Sequence, residues 1–289
     1  TMTDLFIHPG PVVQVREANQ MVSRGYRSRN EALYEGPLLV LINRLSASAS
    51  EIFAGAIQDY RRGLIVGTQT YGKGTVQALV PLHEGQIKLT ESKFYRVSGD
   101  STQHRGVIPD ISLASVFDLE DIGESTKDTA LPWDQIHAVP IKRYDDLSGD
   151  VAMLTKRHNK RAETDPDYKF LLKEIELNKQ RRDQTLVSLS LETRKKEHGD
   201  YEKALFDIEN QRRTAKGLTA YTSVAEWKDK EDLMGEDEEQ DVEVESEKEL
   251  PLDDDPLLKE ASHILVDEIA QPKNAQDDSN LQVVEQVRN

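Results

Sequence analysis

Ser46-Ala47-Ser48-Ala49-Ser50-Glu51 and Tyr71-Gly72-Lys73-Gly74 are the stretches of this sequence whose residue types could do chemistry together. A serine hydroxyl is inert near neutral pH unless a base removes its proton. Held just before a helix, it gains nearby backbone N–H donors and the helix's partial positive end, both of which favour a developing oxyanion. A lysine becomes that base only when burial lowers its pKa by several units. Gly72 and Gly74 allow a tight turn that sends Lys73 inward. Gln77, four residues on, can accept from the ammonium or donate to the amine without fixing a full positive charge, as a carboxylate would. Together these are the parts of a serine/lysine hydrolase.

Each piece also has a plainer reading. Serines at a helix start are usually caps, and Ser50 with Glu51 behind it fits that role. The residues alone leave Ser46, Ser48 and Ser50 open as the nucleophile. A lone Gly-Lys-Gly is usually a surface turn. Gly67 to Lys73 nearly spells a phosphate-binding loop, but Gly74 stands where that motif needs Ser or Thr, and a strand follows where it needs a helix. Asp59 falls on roughly the same helical face as Ser48 but about 16 Å further along, too far for contact, which predicts a role anchoring the helix end. His8, His83 and His104 are isolated, so neither a Ser-His-Asp triad nor a metal site is in view.

The elements that must position these groups are read from apolar patterning. Strands are predicted at Pro11–Arg16, Pro37–Asn43, Leu64–Gly67, Thr75–Leu82 and Gln86–Tyr95, the last two joined as a hairpin across His83-Glu84-Gly85. Ile52, Phe53, Ala56, Ile57 and Tyr60 recur at helical spacing, so Ser50–Arg62 is a helix that Gly63 ends. Residues 114–164 read as a connector. From Asp165 the pattern becomes helical through Tyr168, Leu171, Leu172 and Ile175. A short strand over Thr185–Leu191 and a charged helix over Leu191–Lys216, broken near Gly199, follow.

The chain has 289 residues, 37% hydrophobic and 31% charged, and a net charge of -16. Sixteen acids and three bases lie between Asp229 and Glu260, so the excess is local and reads as a solvated, largely disordered tail over 229–289, with one short helix at 257–269. No basic stripe offers itself to nucleic acid. No apolar run is long enough to span a bilayer. The absence of cysteine excludes disulfides, a catalytic thiol and cysteine-held metals. Because a strand pattern begins soon after Thr1, the chain reads as a piece of something longer.

Leu5–Arg16, Gly36–Gln77, Lys93–Val97 and Gly106-Val107-Ile108-Pro109-Asp110 together closely resemble the tail-specific, or C-terminal processing, serine proteases of Gram-negative bacteria. The helical part from Asp165 resembles the C-terminal domain of their longer branch. The resemblance implies a partial crotonase-like or Clp-protease-like α/β core over 1–113, a helical C-terminal domain over 165–228, and no cofactor. In that family the nucleophile stands twenty-five residues before the lysine, which selects Ser48. It implies Lys73 as base, Gln77 as its orienter, Ala49 as an oxyanion N–H and Asp59 in support. It also implies a periplasmic location, at or near the periplasmic face of the inner membrane. Substrates would be proteins with apolar, unstructured C-termini, and a lipoprotein adaptor would be a partner. The family's PDZ module and second oxyanion donor are not in this sequence, so the chain alone is expected to be inactive. The competing class is a non-enzymatic module that binds an adaptor or scaffold.

Overall fold

The computed structural model describes residues 2–29, 31–144, 147–235 and 255–271. Its N-terminal half holds two sheets. The first is antiparallel, in the order β2 (Val22–Ser28), β1 (Gly10–Glu17), β6 (Gln86–Tyr95), β5 (Thr75–Pro81). The second is parallel, in the order β3 (Leu39–Ile42), β4 (Leu64–Gly67), β7 (Ile111–Ser112). Helix α1 (Ala49–Asp59) crosses between β3 and β4. β5 and β6 pair from Pro81↔Gln86 back to Thr75↔Lys93, closed where the Leu82 N–H donates to the Gly85 carbonyl.

The parallel sheet is the centre of a three-layer sandwich, as an α/β chain requires. Strands covered on both faces carry continuous apolar runs, and β4, Leu-Ile-Val-Gly, is buried throughout. Ile65 turns toward α1 and joins Ile42, Ala54, Ile57 and Tyr60 in one core. Leu64 and Val66 turn the other way, toward Leu154 of α2 (Ser148–Ala162) and Ile264 of α6 (Pro256–Ile269). Between those two helices lie α3 (Pro166–Arg182), α4 (Leu191–Ala215) and α5 (Val224–Gly235).

The structure departs from the sequence expectations at several points. β2 is a polar edge strand without apolar alternation and was not anticipated. α2 lies inside the expected connector; Val151, Leu154 and His158 mark its inner face, and a buried histidine at a core position hides the pattern. Residues 183–190 form no strand, because no neighbouring strand offers a partner, and α4 runs unbroken through Gly199. Helix α1 ends at a left-handed Arg61 (φ 55°). Gly63 instead allows close approach, since a Cβ there would lie 2.4 Å from the Leu38 carbonyl oxygen.

The largest difference concerns the expected tail. α6 is an integral layer, with Ile264 fully buried. Glu260 accepts from Arg161 at 2.7 Å and sits 3.0 Å from His158 Nδ1, while Asp267 pairs with Arg157 at 2.8 Å and with Arg161. Burial works against the Glu260 carboxylate, but its His158 and Arg161 partners prevail and hold its pKa below the usual range. The rest of the expected tail, 236–254 and 272–289, lies outside the described residues. No described helix is long and apolar enough to cross a membrane.

Candidate active site

Ser48 is the residue at which β3's return loop becomes α1. It takes φ 57° and ψ -108°, a region that side-chain-bearing residues enter only when their surroundings hold them there. Its N–H donates to the Glu51 carboxylate three residues on, in the manner of a capping box. The other two serines are placed differently. The Ser46 hydroxyl accepts from the Asn43 N–H at 3.2 Å and closes a turn. Ser50 lies exposed in the first turn of the helix. The Ala49 N–H, at the first helical position, has no acceptor among the described residues.

Glu51 holds this corner together. It is fully buried, and its two oxygens accept four hydrogen bonds. Oε1 takes the Thr70 hydroxyl and the Gly72 N–H, both at 2.6 Å. Oε2 takes the Ser48 N–H at 2.7 Å and the Lys73 N–H at 3.0 Å. One oxygen therefore bridges the backbone nitrogens of Ser48 and Lys73, which can stand no more than about 6 Å apart. Burial raises the Glu51 pKa, and the Thr70, Gly72, Ser48 and Lys73 donors pull against that rise.

The lysine turn is fixed at every residue. The Tyr71 N–H donates to the Ser46 carbonyl at 2.9 Å, and the Gly74 N–H to Gln103 Oε1 at 2.9 Å. The Gly72 and Gly74 carbonyls accept from His104 and Phe94. Both glycines are required by close approach: a Cβ on Gly72 would lie 2.7 Å from the His104 backbone, and one on Gly74 2.7 Å from the Gln103 nitrogen. The Lys73 side chain is half-buried, and among the described residues it pairs with no carboxylate. The Gln77 amide nitrogen donates to Thr75 Oγ1 at 3.0 Å, beside a bulge at Val76/Gln77, and makes no bond to Lys73.

Asp59 sits at the far end of α1. It pairs with Arg96 at 2.6 Å and accepts from the Ser98 N–H at 3.4 Å, tying the helix end to the segment after β6. It does not meet Ser48 or Lys73. Thr70, Gln103 and Arg44 are further supports that sequence reasoning did not single out. The fully buried Arg44 donates to the carbonyls of Thr70, Ile122 and Leu119, and burial lowers its pKa. In the sequence Glu51 reads only as standing behind a capping Ser50; the signal that could have shown more is the Ser48-x-x-Glu51 spacing of a capping box. Among the described residues no group of His, Asp or Glu is arranged to hold a metal.

A strained serine at one strand-to-helix turn, a lysine at the next turn and a helix-start N–H are thus brought to one corner of an α/β protein. Comparison with known proteins gives the family. Residues 1–113 match peptidase family S41, and residues 117–270 match the C-terminal domain of tail-specific protease. The chain belongs to this family of serine proteases, in its tail-specific branch. The tail-specific protease of Haemophilus influenzae is 41% identical over 209 residues, covering 68% of this chain and 30% of that protein. The carboxy-terminal-processing protease of Bartonella bacilliformis is 47% identical over 113 residues, covering 38% and 26%. Among solved structures, the photosystem II D1 C-terminal processing protease overlaps 41% of this chain and 31% of its own at 32% identity, with a TM-score of 0.37. The chain thus spans under a third of the length of each of these two relatives.

Proposed function

We propose that this chain carries the serine/lysine dyad of a periplasmic endopeptidase, with Ser48 as nucleophile and Lys73 as base. The observation that carries the reading is the shared Glu51 oxygen, which couples the backbone of the strained serine to that of the lysine. In this mechanism the unprotonated Lys73 amine takes the Ser48 proton as the hydroxyl oxygen attacks the scissile carbonyl. The Ala49 N–H donates to the oxygen that becomes negative. Lys73 then gives its proton to the departing amine, leaving an acyl-enzyme. A water, deprotonated by Lys73, releases the new carboxylate and restores Ser48.

The reading extends to substrates that are proteins with apolar, unstructured C-termini, and to a lipoprotein adaptor as partner. The names of the relatives, which specify tails and carboxy-terminal processing, support the substrate half. Gln77 would orient Lys73 once substrate or further polypeptide displaces its bond to Thr75. Because the chain spans 30% of the Haemophilus influenzae relative, we infer that the 289-residue chain alone turns over little peptide. The test is cleavage of a peptide with an apolar C-terminal tail by a polypeptide extended to the relatives' length, beside the 289-residue chain. Ser48→Ala and Lys73→Ala should each lower turnover by at least about a thousandfold in the longer form. Unchanged turnover in either variant would remove the dyad, and equal rates in the two lengths would remove the inferred inactivity.

A further inference from the structure

β3 and β4 run parallel and end side by side at the pair Ile42↔Gly67. Ligands of open α/β sheets sit beyond the carboxyl ends of such strands. At that end lies a cavity of about 200 Å³, with Ile42 and Gly67 in its lining. The volume is below the range of small-molecule pockets and suits a single side chain. Ser46 also lines it. Ser46 stands two residues before Ser48, at most about 7 Å away along the chain. Its carbonyl accepts from the N–H of Tyr71, two residues before Lys73. The cavity therefore borders the loop that joins the serine corner to the lysine turn.

The rest of the lining comes from outside the protease-matched part of the chain. Val116 and Phe117 stand on the segment that leaves β7, and Leu257 on the first turn of α6. That segment is pinned at both sides. The Leu113 N–H donates to the Gly67 carbonyl at 2.8 Å, and the Ala114 N–H to the Tyr168 hydroxyl of α3 at 2.9 Å. The polar groups of the lining are engaged by neighbouring backbone. The Ser115 hydroxyl donates to the Phe117 carbonyl at 2.6 Å, and Asn43 Oδ1 accepts from the Leu45 N–H at 2.9 Å. Asp255 Oδ1 caps α6, accepting from the Leu257 and Leu258 N–H groups at 2.8 and 3.1 Å. What the lining offers a visitor is Leu41, Val116, Phe117 and Leu257. Leu41 and Val116 are 40% and 41% exposed, so this apolar surface is reachable from solvent.

We propose that this cavity receives an apolar side chain of the polypeptide substrate, at a residue flanking the scissile bond. The C-terminal domain, matched from residue 117 onward, then sets side-chain selectivity at the cut through Phe117 and Leu257. This selectivity is separate from recognition of the substrate's tail. The inference rests on the reading of Ser48 and Lys73 as the dyad, which puts the scissile bond beside Ser46. A charged or strongly polar side chain would leave water for a lining whose polar groups are already engaged, at a cost no new hydrogen bond offsets. An apolar one gains burial, and such pockets discriminate between side chains by about tenfold or more per methylene.

The first arm of the test needs no turnover. Peptides carrying photo-leucine at each position in turn are irradiated with the Ser48→Ala form of the polypeptide extended to the relatives' length. Crosslinks to residues 113–117 and 255–257 should arise from one position flanking the bond that the wild type cuts. Their absence from every position overturns the proposal, whatever becomes of the dyad. Crosslinks present in the 289-residue chain but lost in the longer form also overturn it, and assign the cavity to a further segment of the polypeptide. The second arm is the ratio of kcat/KM for peptides with Leu or Ala at the labelled position. Val116→Phe, at an exposed site, fills the cavity and should lower that ratio at least about tenfold, with cleavage of the Ala peptide held within about twofold. Leu257→Ala enlarges the cavity and should favour a Phe peptide over the Leu one, thermal denaturation reporting whether α6 stays docked. A ratio unchanged in both variants, in an enzyme that still cleaves, overturns the pocket and leaves the dyad standing. Full turnover in Ser48→Ala would remove the dyad and leave the crosslinks as they are.

Discussion

Ser48 and Lys73 are joined backbone to backbone through a single atom, Oε2 of Glu51. The strained corner at Ser48 and the turn at Lys73 thus cannot move apart without breaking hydrogen bonds to a buried carboxylate. Since α1 begins at Ala49 and the lysine turn follows β4, the same contact also ties the helix start to the sheet. Preorganisation of this kind matters because small displacements of reacting groups are expensive in rate.

Glu51→Gln is the direct probe. A carboxylate can accept all four donors, whereas an amide has one accepting oxygen and turns an NH₂ toward the others. At least one buried N–H loses its acceptor, at a cost of about 1–3 kcal/mol. We expect a lower urea midpoint and a fall in kcat of about a hundredfold in the longer polypeptide, with a smaller change in KM. Wild-type kcat in a folded Glu51→Gln protein would mean that the bridge does not position the dyad.

The turn glycines make a second test. Gly72 has φ 89° and no room, whereas Gly85, at the β5–β6 hairpin tip, has φ 79° and nothing within 4 Å of an added Cβ. Gly85→Ala should cost only the left-handed penalty, about 1 kcal/mol, and leave turnover intact. Gly72→Ala carries that penalty and also pushes against the His104 backbone, so stability and turnover should both fall. Equal effects at the two positions, by thermal denaturation and peptide cleavage, would show that the packing around Lys73 is not the constraint described.

How much of this was legible beforehand depends on how local the cause was. The α1 stripe of Ile52, Phe53, Ala56 and Ile57, the buried run of β4 and the hairpin at Gly85 each follow from a few neighbouring residues, and the pattern announces them. Glu51 is legible as a capping residue; its reach to Thr70, Gly72 and Lys73 depends on where β4 carries the chain. α2 was obscured because His158, buried against Glu260, occupies a position where an apolar side chain would have revealed the period. α6 carries its own apolar spacing, but nothing near it in sequence announces that it covers Leu64 and Val66, nearly two hundred residues earlier. The alternation over Thr185–Leu191 misled for the converse reason: a strand needs a partner strand, and none is adjacent.

Asp59 separates structure from chemistry. Its carboxylate meets Arg96, a largely buried cation that Gln58 also contacts at 2.8 Å. Asp59→Ala leaves that cation unpaired, at a cost of about 3–5 kcal/mol, so lost activity alone would not identify a catalytic role. The double variant Asp59→Ala/Arg96→Met removes both charges. We expect it to regain much of the lost stability and, with it, turnover. A double variant that is as stable as the wild type yet inactive would place Asp59 in the chemistry after all.

Acid should loosen the C-terminal layer at Asp167. This residue opens α3 and faces Arg212 at 2.7 Å, Lys216 at 3.0 Å and Lys259 at 3.1 Å, so it gathers α3, α4 and α6 around one carboxylate. Burial opposes its charge, but bonds to Lys216, Arg212 and Lys259 prevail and lower its pKa from 3.8 to about 2. A folded pKa below the unfolded one means that the stabilisation is complete above the unfolded value and disappears as pH falls through the folded one. The window is therefore pH 3.8 down to about 2, and the amount is about 2 kcal/mol. Asp167→Asn should be less stable by about that amount at neutral pH, and the gap from wild type should close across the window. Because Lys259 belongs to α6, the loss should register first as hydrogen exchange in residues 256–269 and in β4 beneath them. Urea midpoints measured from pH 7 to pH 2 decide the matter: a gap that stays constant with pH would mean that Asp167 contributes packing alone.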